Sequence, residues 1–237
     1  MPEVLIVVVL SLLAGSAMPI GALLASVDIR HPSWLGNEWR HFIVAFGGGA
    51  LISAVALVLV PDGAEKLPIP AAALAFSAGG IFFCVLDIVL SKLRSSAGQL
   101  VAMLSDFIPE AIALGAAFAA GEQTGLLLAG LIFLQNVPEG FNAFEEISNS
   151  AKIPAKRIVM VFGLLALAGP AAGLSGYYLL SGNDGVMGAL MLFASGGILY
   201  LIFEDIAPQA KLDSRWIPAL GAVAGFLLGL IGKMLVA

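Results

Sequence analysis

Charge is what this chain has least of. Only 11% of its 237 residues are Asp, Glu, Lys or Arg, against about 25% in soluble domains. That scarcity excludes intrinsic disorder, nucleic-acid binding by charge and an ordinary globular enzyme. The formal net charge of −5 is small, and no basic run exists for nucleic acid. Cysteine is nearly absent as well: Cys84 stands alone, so an intramolecular disulfide and a cysteine-based zinc site are both ruled out. What is present is apolar. Hydrophobic residues make up 60% of the chain and the mean hydropathy is +1.02, more apolar surface than a soluble fold of this size can hide. The 28 glycines suit membrane helices that approach each other closely.

A membrane helix needs about 20 mostly apolar residues. Eight stretches qualify, roughly 4–26, 41–61, 69–92, 97–121, 124–147, 158–181, 185–208 and 216–236, called spans 1 to 8 here. The expected fold class is all-α: one polytopic membrane domain over 1–237 with short loops. The start of the chain lacks the basic residues of a secretory signal peptide, so span 1 reads as retained. Positive charge alternates with the loops. Arg30, Arg40, Lys92, Arg94, Lys152, Lys156, Arg157, Lys211 and Arg215 fall on one side, and Lys66 and Lys233 on the other. This split predicts both termini outside the cytoplasm. A weak internal repeat links Phe46-Gly47-Gly48-Gly49, ahead of Pro61, with Phe193-Ala194-Ser195-Gly196-Gly197, ahead of Pro208. Spans 2 and 7 run in opposite directions, so the copies would be inverted, a transporter signature when the helices are interrupted. Gly-rich helices also resemble each other by composition alone.

The acids within the spans carry the most information. Asp106 and Glu110 fall in the middle of span 4, and Gln135, Asn136 and Glu139 in the middle of span 5. An Asp or Glu near the bilayer centre costs about 2.5–3.5 kcal/mol. No Lys or Arg lies at that depth, so these groups must be protonated, hydrogen-bonded or neutralised by a bound cation. Asp106-Phe107-Ile108-Pro109-Glu110-Ala111 and Gln135-Asn136-Val137-Pro138-Glu139-Gly140 share one form, a polar residue three before Pro and Glu directly after it. The i,i+4 spacing puts Asp106 with Glu110, and Gln135 with Glu139, on one helix face. Each Pro removes one helical hydrogen bond and partly frees the carbonyls of Ser105 and Leu134. Two such faces at the midplane could enclose a divalent ion with oxygen ligands. A polar seam that merely holds helices together is the simpler reading.

Other polar groups lie toward the ends of the spans. Asn142 and Glu146 continue the stripe of span 5, and Asp87, Glu204 and Asp205 cluster at the same end. Glu65, Glu145 and Glu204 read as solvated charge, His31 and His41 as interfacial, and Cys84 as a small core residue. Gly173-Leu174-Ser175-Gly176 matches a Gly-x-Ser-Gly hydrolase motif, yet no His lies deep in a span to activate the serine. The chain is therefore not read as an enzyme.

The two Pro-Glu motifs resemble those of the ZIP (Zrt/Irt-like) metal transporters of bacteria. Gln135 through Gly140 is similar to that family's helix 5 motif. Asp106 through Ala111 is similar to its helix 4 motif, usually His-Asn-x-Pro-Glu-Gly. The segments Ala194–Pro208 and Phe46–Pro61 resemble its helices 7 and 2. The resemblance implies eight helices, with inverted three-helix repeats around central helices 4 and 5, in a bacterial inner membrane. It implies a transported divalent metal (Zn, Fe, Mn or Cd) and no prosthetic group, with a lipid bilayer and a possible homodimer as the other partners. Carried over by position, the metal ligands are Asp106, Glu110, Gln135 and Glu139, with Asn136 matching a neighbouring second-metal ligand. Asp106 replaces a usual His, Phe107 a usual Asn, and Gly169 a frequent Glu, so the second position loses two ligands. Three carboxylates and an amide shift preference toward harder ions such as Mn²⁺ or Fe²⁺. A proton or monovalent-cation pathway, or a transport-dead sensor or structural relative, would use the same residues.

Carboxylates crowded in a desolvated site cannot all stay ionised, and a metal must displace their protons. Uptake of a divalent metal into proteoliposomes should therefore weaken as external pH falls from neutral to mildly acidic. A flat profile over that range would contradict a carboxylate metal site.

Overall fold

The computed structural model describes residues 3–30, 37–93, 97–119, 124–150, 153–180, 182–211 and 216–236, and every regular element among them is helical. In order these are α1 (Glu3–Arg30), α2 (Asn37–Ala54), a π-helical turn (Val55–Leu59), α3 (Val60–Glu65), α4 (Ile69–Leu93), α5 (Ala97–Ala119) and α6 (Thr124–Ser150). There follow α7 (Ala155–Leu165), α8 (Ala168–Leu179), α9 (Asp184–Leu201), a second π-helical turn (Ile202–Ile206), α10 (Ala207–Ala210) and α11 (Ile217–Val236). Among the described residues, six segments are long and apolar enough to cross a membrane: Glu3–Val27, Glu38–Glu65, Ile69–Lys92, Ala155–Leu179, Asp184–Ala210 and Ile217–Leu235. The chain is a polytopic all-α membrane protein. α5 and α6 have 23 and 27 residues, enough length to span, and they hold Glu110, Gln135 and Asn136, the buried polar residues among those described that are not serine.

Proline explains the interruptions. Pro61 and Pro208 stand at the starts of α3 and α10, and a π-helical turn ends two residues before each. Proline cannot donate, and its ring presses on the carbonyl four residues back. A wider turn at that point re-routes the hydrogen bonds. Span 6 was expected to run unbroken over 158–181. It is instead split between α7 and α8 at Ala166-Leu167, so Pro170 falls in the first turn of α8, where its missing N–H costs nothing. Pro19, Pro109 and Pro138 lie inside continuous helices.

The most extensive packing joins α2 to α11, α1 to α6, α4 to α9 and α5 to α8. Glycines make these approaches possible. Gly79 of α4 meets the backbone of Phe193, Gly196 that of Phe76, Gly49 of α2 that of Ala222, and Gly229 the side chain of Ser53. These contacts keep a nearly constant offset along each pair, so α4 runs parallel to α9 and α2 parallel to α11. Gly21 against Val137 and Gly140 against Met18 make α1 and α6 parallel as well. The outward side of α4 exposes Leu74, Ile81, Phe82, Val85, Ile88 and Val89, an aliphatic face for lipid. Cys84 is only half-buried, on a helix that packs along one side, and is not the core residue it was read as.

A side chain at Gly79 would run into the backbone of α9, which cannot yield as a flexible side chain can. Gly79→Val should lower stability by about 1–3 kcal/mol. Gly163→Ala, with no atom within 4 Å of the added methyl, should leave it unchanged. Thermal unfolding of the purified protein in one detergent compares the two directly.

Candidate metal site

Seven polar residues are fully buried among the described ones: Ser11, Ser26, Ser53, Glu110, Gln135, Asn136 and Ser195. The four serines donate to carbonyls three or four residues back in their own helices, which makes them cheap to bury. The other three lie together on α5 and α6, at the two Pro-Glu motifs.

Glu110 and Gln135 are 1% and 0% exposed. Gln135 Nε2 donates to Glu110 Oε2 at 2.5 Å, so the two motifs touch through the residues the sequence put forward. Gln135 Oε1 is buried with no hydrogen-bond partner among the described residues. A buried carbonyl left so costs about 1–3 kcal/mol, and a cation beside it removes that cost. Glu139 lies one turn further along α6 and is half-buried. Asp106 lies one turn before Glu110 in α5, but its side chain is outside the described residues. Among those described, no three His, Cys, Asp or Glu side chains group closely enough to hold a metal. The donors in view are thus carboxylate and amide oxygens, the set that suits harder divalent ions.

Asn136 is also fully buried, but its amide turns another way, donating to the carbonyl of Ala14 at 3.2 Å. It ties α6 to α1, and its Oδ1 has no hydrogen-bond partner among the described residues. Phe107 is fully buried. Its ring tip reaches within 3.0 Å of where a Cβ on Gly15 would lie and 2.8 Å of one on Gly169. The phenyl ring therefore fills the gap that two glycines leave between α1 and α8. The two departures at Phe107 and Gly169 are one packing feature.

The peripheral residues divide. Glu65, Glu146, Glu204 and Asp205 are exposed, and Gln209 donates to Asp205. Asp87 is half-buried and accepts from Tyr200 at 3.2 Å, a partner the sequence did not suggest. Glu145, read as solvated charge, instead pairs with Arg40 across to α2. That correction has a local cause: α2 begins at Asn37, so Arg40 sits on a helix facing α6 and not in a loop. His41 and Asn142 line the same cavity as this pair. His31 lies outside the described residues.

Removing the Gln135 amide would take one donor from Glu110 and one oxygen from the candidate site. Gln135→Leu should weaken divalent-metal affinity by about 10–100-fold, read by isothermal titration calorimetry on the purified protein.

No family model matches the chain. Over 145 residues, 59% of the chain, it is 28% identical to zinc transporter SLC39A7 of Homo sapiens, and as similar to that of Mus musculus. It is 27% identical over 147 residues to zinc transporter SLC39A7 of Canis lupus familiaris. The match covers 31% of the human protein, so the chain spans under a third of the length of these relatives. They are transporters, and nothing in their names points to catalysis. This all-α membrane protein, with carboxylate and amide oxygens buried beside intrahelical prolines, is distantly similar to zinc transporters.

Proposed function

We propose that the chain carries divalent metal cations across a membrane, binding one between α5 and α6. The observation that carries this reading is the buried Glu110–Gln135 contact, with Gln135 Oε1 left over beside it. A carboxylate and a partnerless carbonyl at a proline kink are poor helix glue and good cation ligands. Glu139 and Asp106 complete the proposed ligand set. Asn136 stays in it as a neighbouring oxygen held in place from α1. Zn²⁺, Fe²⁺, Mn²⁺ and Cd²⁺ are the candidate ions; the relatives speak for zinc and the all-oxygen donors for Mn²⁺ or Fe²⁺.

Eight crossings with inverted repeats suit the packing. Spans 1 and 5, 3 and 7, and 2 and 8 each form a parallel pair, as alternating crossings require of spans of equal parity. The π-helical turns begin nine residues after Phe46 and after Phe193, which supports relating span 2 to span 7. Movement by alternating access would then be inward, with both termini outside the cytoplasm and a bacterial inner membrane as host. The close pairs also refine which parts move. Spans 4 and 5 pack most heavily on 6 and 1, so the moving unit would include those four and not the central two alone. A homodimer, if formed, could use exposed apolar surface such as that of α4.

The test is uptake of the four ions into proteoliposomes, comparing the protein with Glu110→Ala and Glu139→Ala. Saturable uptake lost in both variants is expected. Uptake of protons or monovalent ions alone, or of nothing by folded protein, would overturn the metal assignment.

A further inference from the structure

A cavity of about 370 Å³ lies between α2, α6 and the segment around α10, and Arg40, Val44, Pro138, Asn142, Glu145 and Gln209 are among its lining residues. Two contacts between α2 and α6 flank it in the same register. At the inner end Gly47 of α2 packs on Pro138, so closely that a Cβ there would lie 2.5 Å from the proline Cγ. At the outer end Arg40 pairs with Glu145. Each contact residue is seven positions from its counterpart on the same helix, in opposite senses. α2 and α6 are thus antiparallel here, with about 10 Å between the contacts. Pro138, beside ligand candidate Glu139, is buried, whereas Gln209 on the rim is exposed.

The outer contact is built to hold. The Arg40 guanidinium also lies 5.7 Å from the centre of the Phe141 ring, a cation–π distance. The Arg40 and Glu145 side chains are only 34% and 24% exposed, so solvent screens the pair less than it would a surface pair.

We propose that the Arg40–Glu145 pair is the gate of this cavity, and that Glu145 exchanges Arg40 for the passing cation when the gate opens. While closed, the fixed guanidinium both occupies the carboxylate and repels a divalent ion. Once open, Glu145 and the carbonyl of Asn142, one turn deeper on α6, offer successive oxygens between the interior site and water. What passes through the gate rests on the transport reading above; the gating itself does not.

The experiment therefore separates the two. Cys84 is the one native cysteine; in a Cys84→Ala background, Val44→Cys puts a reporter in the cavity wall. Its reaction with uncharged N-ethylmaleimide is followed by mass spectrometry in metal-free nanodiscs, with Ile43→Cys as a second reporter. Arg40→Gln should raise the labelling rate roughly fivefold, the shift expected from losing one ion pair. Combining Arg40→Glu with Glu145→Arg should restore it. An unchanged rate in Arg40→Gln, or no restoration by the exchange, overturns the gate. Glu145→Gln should also raise labelling, and it should lower metal uptake further than Arg40→Gln does. Uptake falling equally in both overturns the ligand role of Glu145. If the unaltered protein moves no metal, the transport reading fails while the labelling still decides the gate.

Discussion

Everything in this protein is arranged around one expensive act, the burial of Glu110 in a helix bundle that offers no Lys or Arg at that depth. A carboxylate so placed needs donors or a cation. Gln135 supplies one N–H, and in doing so brings its own carbonyl oxygen into the same small space. Satisfying one group thus leaves another wanting. The arrangement is half a solvation shell, which an all-hydrophobic seam would never create and which a structural seam of amides would have closed.

Holding that half-shell in place is the task of close helix packing. The glycine approaches of α4 on α9, α2 on α11 and α1 on α6 bring backbones nearer than any side chain would permit. In lipid this contact, and not hydrophobic exclusion, is what holds helices together. Asn136 adds a polar tie from α6 to the Ala14 carbonyl. The π-helical turns before Pro61 and Pro208 accommodate proline in the other pairs. The Pro-Glu motifs of α5 and α6 are thereby held together at the Glu110–Gln135 contact.

Much of this was legible from composition and spacing. Scarce charge and long apolar runs led to an all-helical membrane protein, and the two Pro-Glu motifs led to Glu110 and Gln135, which do meet. Local pattern could not reveal pairings between distant residues. Arg40 and Glu145 are 105 positions apart, and each alone looks like interfacial charge, so their cavity was invisible. Tyr200 on Asp87 is a similar case, 113 positions apart. The break between α7 and α8 was missed for another reason: hydropathy ignores backbone geometry, and Pro170 fits a helix start as well as a helix interior. Phe107 and Gly169 were read as two separate losses of polarity, because only in three dimensions does the ring of one occupy the gap left by the other.

That last packing feature bears on how the protein can move. A phenyl ring wedged between Gly15 and Gly169 joins α1, α5 and α8 through close apolar contact, which resists shear because cores switch between packings and do not deform smoothly. Asn136 adds α6 to the same body. Motion about the proposed ion site would then occur where contact is held by separable groups. The α2–α6 boundary includes such groups: a proline against a glycine, a cavity, and an ion pair with part of its surface in water. A guanidinium can leave a carboxylate without disturbing the core, whereas Phe107 cannot leave its slot without opening a void. The rigidity lost to polarity at the second position and the compliance kept along α2 are therefore parts of one design. On the proposed reading, the oxygen groups of α5 and α6 sit on one wall, and the Arg40–Glu145 pair lies on the side that faces it.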